Sequence, residues 1–120
     1  MCDGVSKREI AVNPHKAIDF ILHHSAEYAN AKARRVFKEE ERKTKKALLM
    51  QEAQTKGVTT LAAQERDAYA DPSYIELLNE LRESVIDEET LKWKLIAAQM
   101  RIDCWRTEQA NNRFIDKSMT

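Results

Sequence analysis

The sequence predicts an all-α protein: a long antiparallel helical hairpin of the coiled-coil type, with a short N-terminal helix and a short connecting helix. Charged residues make up 33% of the 120 residues, and the chain has only two glycines and two prolines, which is typical of long solvated helices. After Pro72 apolar residues recur every three or four positions, as on one face of a helix. A helix over 72–114 would be about 60 Å long, more than the diameter of a compact domain, so it must lie against other helices.

Composition excludes several classes of protein. Lys plus Arg and Asp plus Glu both number 20, so there is no general electrostatic attraction to nucleic acid or membranes. No apolar run approaches the ~18 residues of a membrane span, and no signal-peptide pattern opens the chain. Cys2 and Cys104 lack metal-type spacing, so reduced thiols in a cytoplasm are predicted.

The first helix is predicted to begin at Asn13-Pro14, because asparagine caps helices and proline suits the first helical position. Residues 14–24 are apolar around much of the helix. Ser25 is a candidate for a further N-cap, so we expect a break near His23.

A second helix is predicted over 26–56. Its middle is polar at Glu40, Lys43 and Thr44, within a charge run that favours i,i+4 ion pairs. Gly57 is the expected C-cap, since glycine adopts the left-handed conformation without cost. The predicted apolar face consists of Ala29, Ala33, Val36, Phe37, Ala47, Leu48 and Met50.

The connecting helix is predicted over 61–70, with Thr59 or Thr60 as its N-cap. Asp71 and Pro72 then repeat the cap-plus-proline signal and begin the long helix, 72–114. The apolar face predicted for the long helix comprises Tyr74, Leu78, Leu81, Val85, Leu91, Leu95, Ala98, Ile102 and Trp105.

If the hairpin turns near residue 64, Glu40 faces Glu88, Val36 faces Lys92, and helix 14–24 covers the C-terminal part of the long helix. A two-helix hairpin buries little surface, so a homo-oligomer, a dimer or higher, is expected. The predicted organisation is a flexible arm (1–12), a helical hairpin domain (13–115) and a frayed C-terminus (116–120).

Carboxylates fall at similar heights on the two arms of the predicted hairpin. Some helical nucleotide hydrolases hold divalent metals with such groups, but there is no Glu-x-x-His, and lysines and arginines stand close by. A salt-bridged surface with one polar layer is therefore favoured over a metal site at Glu40 and Glu88. The acids concerned are Glu39, Glu40, Glu41, Asp87, Glu88 and Glu89.

No other constellation indicates catalysis, a metal or a cofactor. His15, His23 and His24 have no ligand at a metal-binding spacing, and no base and acid accompany Cys104 in a nucleophilic pattern. The glycines are isolated, so there is no phosphate-binding loop. The chain is predicted not to be an enzyme.

Cations and large rings interleave in KWKLIAAQMRIDCWR. Such a run favours, in falling order, core or oligomer packing, a protein-binding surface, or single-stranded DNA held by stacking. Trp93 and Trp105 are twelve residues apart, or about 120° around a helix, so both cannot face one core. Trp105 is the predicted structural residue. The predicted binding residues are Lys92, Trp93, Lys94, Arg101 and Arg106.

Several segments resemble a group of small helical proteins of tailed bacteriophages and prophages, often encoded near recombination and single-strand-binding genes. The resemblance covers residues 13–106 and lies in NPHKAIDFILHHSAEYANAKARRVF, AQERDAYADPSY, ELLNELRESV and LKWKLIAAQMRIDCWR. It implies an accessory role in host cytoplasm, in phage DNA recombination or replication, through a recombination protein or single-stranded DNA. The alternatives are a phage inhibitor or adaptor that binds a host protein and, more weakly, a metal-dependent nucleotide hydrolase.

Overall fold

The computed structural model describes residues 13–119, which form three helices: α1 (Pro14–Thr55), α2 (Leu61–Ala70) and α3 (Pro72–Met119). No strand occurs in this range. The predicted all-α fold with a long helical hairpin is confirmed. The predicted arm, residues 1–12, lies outside the described residues.

The helix starts follow the capping signals of the sequence. The Asn13 side-chain oxygen accepts hydrogen bonds from the backbone N–H groups of His15 (3.0 Å) and Lys16 (3.3 Å). Thr60 caps α2, its hydroxyl accepting from the N–H of Ala63 at 3.2 Å. Asp71 accepts from the N–H of Ser73 at 2.8 Å at the start of α3. These side chains satisfy N–H groups that have no partner within the helix.

Gly57 ends α1 as predicted, with a φ of 100° that an L side chain rarely adopts. Its N–H donates to the carbonyl of Gln54 at 3.1 Å, and the N–H of Val58 donates to that of Ala53 at 3.0 Å. This pair of bonds is the Schellman arrangement, which stops a helix and turns the chain away.

The predicted break near His23 is wrong, because α1 is one helix of 42 residues. The Ser25 hydroxyl donates back to the carbonyl of Leu22 at 3.5 Å, and His23 Nδ1 lies 2.6 Å from the carbonyl of Asp19. Both side chains thus bond to the preceding turn, which leaves the helix intact. α3 likewise continues to Met119, past the predicted end at residue 114.

The least exposed positions of α1 and α3 follow alternating steps of three and four residues, which is the heptad spacing of a coiled coil. In α1 they include Ala17, Ile21, His24, Tyr28, Ala31, Arg35, Lys38, Arg42, Lys45 and Leu49. In α3 they are Tyr74, Leu77, Leu81, Ser84, Glu88, Leu91, Leu95, Ala98, Ile102 and Trp105.

The chain divides into two compact units, the first from residues 1–28 and 90–120 and the second from residues 29–89. In the first unit Ala17, Ala98 and Ile102 are buried, and Phe20 and Ile21 pack against them. We call these five residues the apolar seam. It confirms the expectation that the first turns of α1 cover the C-terminal part of α3.

In the second unit, α2 packs where α1 and α3 meet. Leu49, Ala68 and Tyr74 form the buried cluster there, and the Tyr69 ring lies edge-on to that of Tyr74 at 5.4 Å. Gln64 is buried, and its side-chain amide donates to the carbonyl of Val58 at 2.8 Å. These contacts fix the connecting helix between the two arms.

Ion pairs also join α1 and α3 in the second unit, beside further buried apolar residues such as Leu77. The Arg35 guanidinium donates to Glu88 from two of its nitrogens, one of them at 3.2 Å, and Glu88 is only 6% exposed. Lys38 donates to Glu80 at 2.8 Å. These hydrogen bonds to carboxylates raise the pKa of Arg35 and of Lys38 above their usual values. We call Arg35, Lys38, Glu80 and Glu88 the charged seam.

The predicted apolar face of α1 therefore points outward rather than to α3. Phe37 is 65% exposed and Leu48 57%, while Arg35 and Lys38 take the inward positions. In α3, Leu78 and Val85 are exposed and their neighbours Leu77 and Ser84 are buried. Counting apolar residues selected the wrong face because ion pairs across the two helices satisfy the inward charges. Of the predicted α1 face, the residues found exposed are Ala29, Ala33, Val36, Phe37, Ala47 and Leu48.

Candidate binding surface on α3

The structure leaves all five predicted binding residues exposed on α3. Trp93 is the most informative, because its large ring remains 62% exposed. Lys92, Lys94, Arg101 and Arg106 are also exposed. Exposure makes these side chains available to a partner, while their role in binding stays a prediction.

The five residues do not share one face. With 100° per residue, Lys94 and Arg101 lie about 80–100° to one side of Trp93, and Lys92 lies about 100° to the other. Arg106 is about 140° away. The cations therefore flank Trp93 on both sides instead of forming one basic stripe.

Apolar residues occupy the face that Trp93 itself presents. Met100 lies two helical turns further on, within about 20° of the same line, and is 58% exposed. Ile96 and Ala97 fall between them, with Ile96 half-buried and Ala97 exposed. We call Trp93, Ile96, Ala97 and Met100 the Trp93 surface. Met100 was missed from the sequence, although its spacing of seven from Trp93 is a visible signal.

The second tryptophan has a different environment. Trp105 is half-buried at a seam position of α3, two turns or less from the buried Ala98 and Ile102. The helical offset from Trp93 thus gives the two rings different surroundings, as expected. Trp105 is thus partly covered within the first unit, whereas most of the Trp93 ring is exposed.

The cations around Trp93 have little neutralisation from the protein. Within the described part of the chain, Lys92, Lys94 and Arg101 form no ion pair, and Arg106 lies 4.0 Å from Asp103. Exposed and unpaired lysines and arginines favour an acidic partner at the rim of the surface.

The carboxylate layer predicted across the hairpin is not formed. Glu40 is exposed and accepts from Lys43 on its own helix at 3.2 Å, while Glu88 is buried against Arg35. The arms pair several residues out of the predicted register, so Glu40 and Glu88 do not face each other. The predicted pairing of Glu40 with Glu88 is therefore wrong.

The described histidines are not grouped with other residues that could bind a metal ion. His24 Nδ1 lies 2.9 Å from a carboxylate oxygen of Glu27, and its ring stacks on Phe20 with centroids 4.3 Å apart. Among residues 13–119, no group of three or more His, Cys, Asp or Glu side chains is placed to hold a metal ion.

The shifted carboxylates of the second unit serve the fold. A hydrogen bond from Lys46, at 2.8 Å, lowers the pKa of Glu65, and the Ser73 hydroxyl and N–H lower the pKa of Asp71. Lys46 also lies over the Tyr69 ring, 4.7 Å from its centroid. Glu65 thus lies in an ion pair between α1 and α2, and Asp71 at the start of α3, and these contacts account for their lowered pKa values.

Cys104 is half-buried and disulfide-bonded, so the prediction of reduced thiols is wrong. Cys2, the only other cysteine of the chain, lies outside the described residues. Disulfides persist mainly in oxidising compartments, so the cytoplasmic location stays a proposal.

Comparisons of the chain with models of protein families, with curated proteins and with solved structures give no match. No described helix combines the length and the apolar character that crossing a membrane requires.

Proposed function

We propose that this chain is a non-enzymatic accessory protein of a tailed phage, which binds a protein of DNA recombination or replication through the Trp93 surface. The observation that supports binding is the tryptophan ring left 62% exposed beside Met100 on one face of α3. Tryptophan and methionine are enriched at the centres of protein interfaces and depleted from surfaces that meet only water. The phage setting rests on the sequence resemblance.

The partner that fits best is an amphipathic helix with acidic residues beside its apolar face. Trp93 and Met100 are two turns apart, the spacing at which a helix lying along α3 meets successive apolar side chains. Lys94 and Arg101 on one flank, and Lys92 on the other, would then meet acids on either edge of the partner. A host protein with such a helix is the alternative target, for a role as inhibitor or adaptor.

Single-stranded DNA is the second candidate, favoured by the exposed Trp93 ring between Lys92 and Lys94. A base can stack on such a ring while the cations contact phosphates. Because the cations lie on opposite flanks of α3 and the net charge is zero, a continuous track for a strand is less well supported.

The test is affinity capture from infected cells by the wild-type chain and by Trp93→Ala. Loss of a hot-spot tryptophan costs about 2 kcal/mol, so capture should weaken by roughly thirtyfold while folding is unchanged. Leu22→Ala is the matched control, because Leu22 is 68% exposed on α1. Equal capture by all three chains would refute a role for the Trp93 surface.

Single-stranded DNA is tested separately with a fluorescent oligonucleotide. If single-stranded DNA is the ligand, affinity should fall steeply between about 50 and 200 mM salt, because binding releases cations from the phosphates and this release is less favourable at high salt. Trp93→Ala should also weaken the binding of DNA. Binding that is absent, or insensitive to salt, leaves a protein as the partner.

A further inference from the structure

The outward side of α1 in the second unit is apolar at its two ends, and no helix within residues 13–119 covers it. Its residues Ala33, Phe37, Glu40, Thr44 and Leu48 follow steps of three and four and are all exposed. Phe37 is 65% exposed and Leu48 57%. We call these five residues the outer face of α1. Phe37 and Leu48 therefore place two large apolar side chains on one exposed line of α1.

The outer face is close to symmetric about its middle. Phe37 and Leu48 are centred between Arg42 and Lys43, and the charged pair Glu40 and Lys43 is centred one residue earlier, between Glu41 and Arg42. When two copies of such a helix run antiparallel about a two-fold axis near Arg42, each Phe37 meets the other copy's Leu48. A two-fold interface requires this kind of self-complementary patch.

We propose that the outer face of α1 pairs with the same face of a second copy, with the two α1 helices antiparallel and crossing near Arg42. This goes beyond the proposed function and is independent of it. The outer face belongs to α1 in the second unit, whereas the Trp93 surface belongs to α3 in the first unit. Failure of either proposal leaves the other standing.

The charges near the axis suit a second copy better than another partner. Glu40 and Lys43 are 66% and 65% exposed and lie 3.2 Å apart within one chain. In the antiparallel pair, each Glu40 also approaches the other copy's Lys43, so two acids and two bases alternate around the axis. Each charge then has two opposite neighbours where the free chain provides one, which favours this register over a shifted one.

The test is light scattering at micromolar concentration in reducing buffer, where the wild-type chain should show twice the mass of 13.9 kDa. With Glu40→Lys alone, positions 40 and 43 are both basic in each copy. With Lys43→Glu alone, both positions are acidic in each copy. Each variant should dissociate at least about tenfold more readily, because like charges then meet. An equimolar mixture of the two variants should recover the dimer, since opposite charges meet again.

Phe37→Ala should also weaken the dimer, and Trp93→Ala should leave it unchanged. Circular dichroism confirms that each variant is folded, as expected for substitutions at exposed positions. A monomeric wild type would overturn the proposal. The proposal would also be overturned if the single charge variants or Phe37→Ala dimerised as well as the wild type. It would be overturned likewise if the equimolar mixture of the two charge variants stayed monomeric.

Discussion

The apolar seam of the first unit and the charged seam of the second unit both join α1 to α3, with opposite chemistry. In the first unit, Ala17, Ala98 and Ile102 are all less than 10% exposed and carry no charge. In the second, Arg35 and Lys38 occupy the equivalent positions of α1 and reach Glu88 and Glu80 on α3. One hairpin thus combines a hydrophobic contact with an ionic one.

The difference shows that apolar contacts and buried ion pairs do different things in the hairpin. Burial of apolar surface stabilises without direction, so several alignments of two apolar faces have similar free energy. A buried carboxylate such as Glu88 is tolerated only with its partner at the right height, because an unpaired charge away from water is costly. Buried apolar side chains therefore stabilise both units, and in the second unit the charged seam also favours one alignment of α1 and α3.

The largest effect is expected in the apolar seam. Ile102 is 9% exposed, and Ile102→Ala should lower the free energy of unfolding by about 2–5 kcal/mol, as large-to-small core changes do. The loss should be the same at low and high salt, because no charge is involved. Urea unfolding followed by circular dichroism measures it.

The matched control is Ile115→Ala on the same helix, where Ile115 is 52% exposed and the loss should be at most about 0.5 kcal/mol. Equal losses for the two isoleucines would show that the first unit is not packed through Ile102.

A smaller effect is expected from pH at the Lys46–Glu65 contact of the second unit. Because Lys46 lowers the pKa of Glu65, the folded state favours the ionised carboxylate. The contact therefore stabilises above the usual glutamate pKa of about 4.3, and this contribution is lost as the pH falls through the lower folded pKa.

Glu65→Gln should accordingly melt at a lower temperature than the wild type at neutral pH, and the two should converge in acid. Glu76→Gln is the control, since Glu76 is exposed and forms no ion pair within the described residues. A difference between Glu65→Gln and the wild type that persists unchanged at about pH 3 would contradict the assignment.

Sequence reasoning succeeded where one residue carries a local signal. Asn13, Gly57, Thr60 and Asp71 act at helix ends through their own side chains or backbone angle, and all four positions were predicted. The C-terminal part of the α3 face was also predicted, because there the inward residues are apolar.

It failed where the inward residues are charged. A reading that sorts residues by hydrophobicity places Phe37 inside and Arg35 outside, although the structure has the reverse. The pairing of Arg35 with Glu88 depends on residues 53 positions apart, which no local pattern contains. The heptad frame of α1 was nevertheless readable. Continued from Ala31 in steps of four and three, it reaches Arg35 and Lys38, although both residues are charged.

At the binding surface, exposure of Trp93 followed from its angular offset alone. The position of the cations on two flanks of α3 follows from the same helical angles. It makes single-stranded DNA a less well supported ligand than a protein. Met100 escaped notice because a methionine inside a long helix is ordinarily assigned to the core.

The most direct test of the charged seam is a double-mutant cycle on Arg35→Leu and Glu88→Leu, measured by thermal unfolding. Each single variant should lower the melting temperature, because it leaves the opposite charge without its partner across the two helices. The double variant should recover most of the loss or exceed the wild type, since two leucines at facing heptad positions pack as an apolar seam. Losses that simply add would contradict the account, because Arg35 and Glu88 would then not face each other.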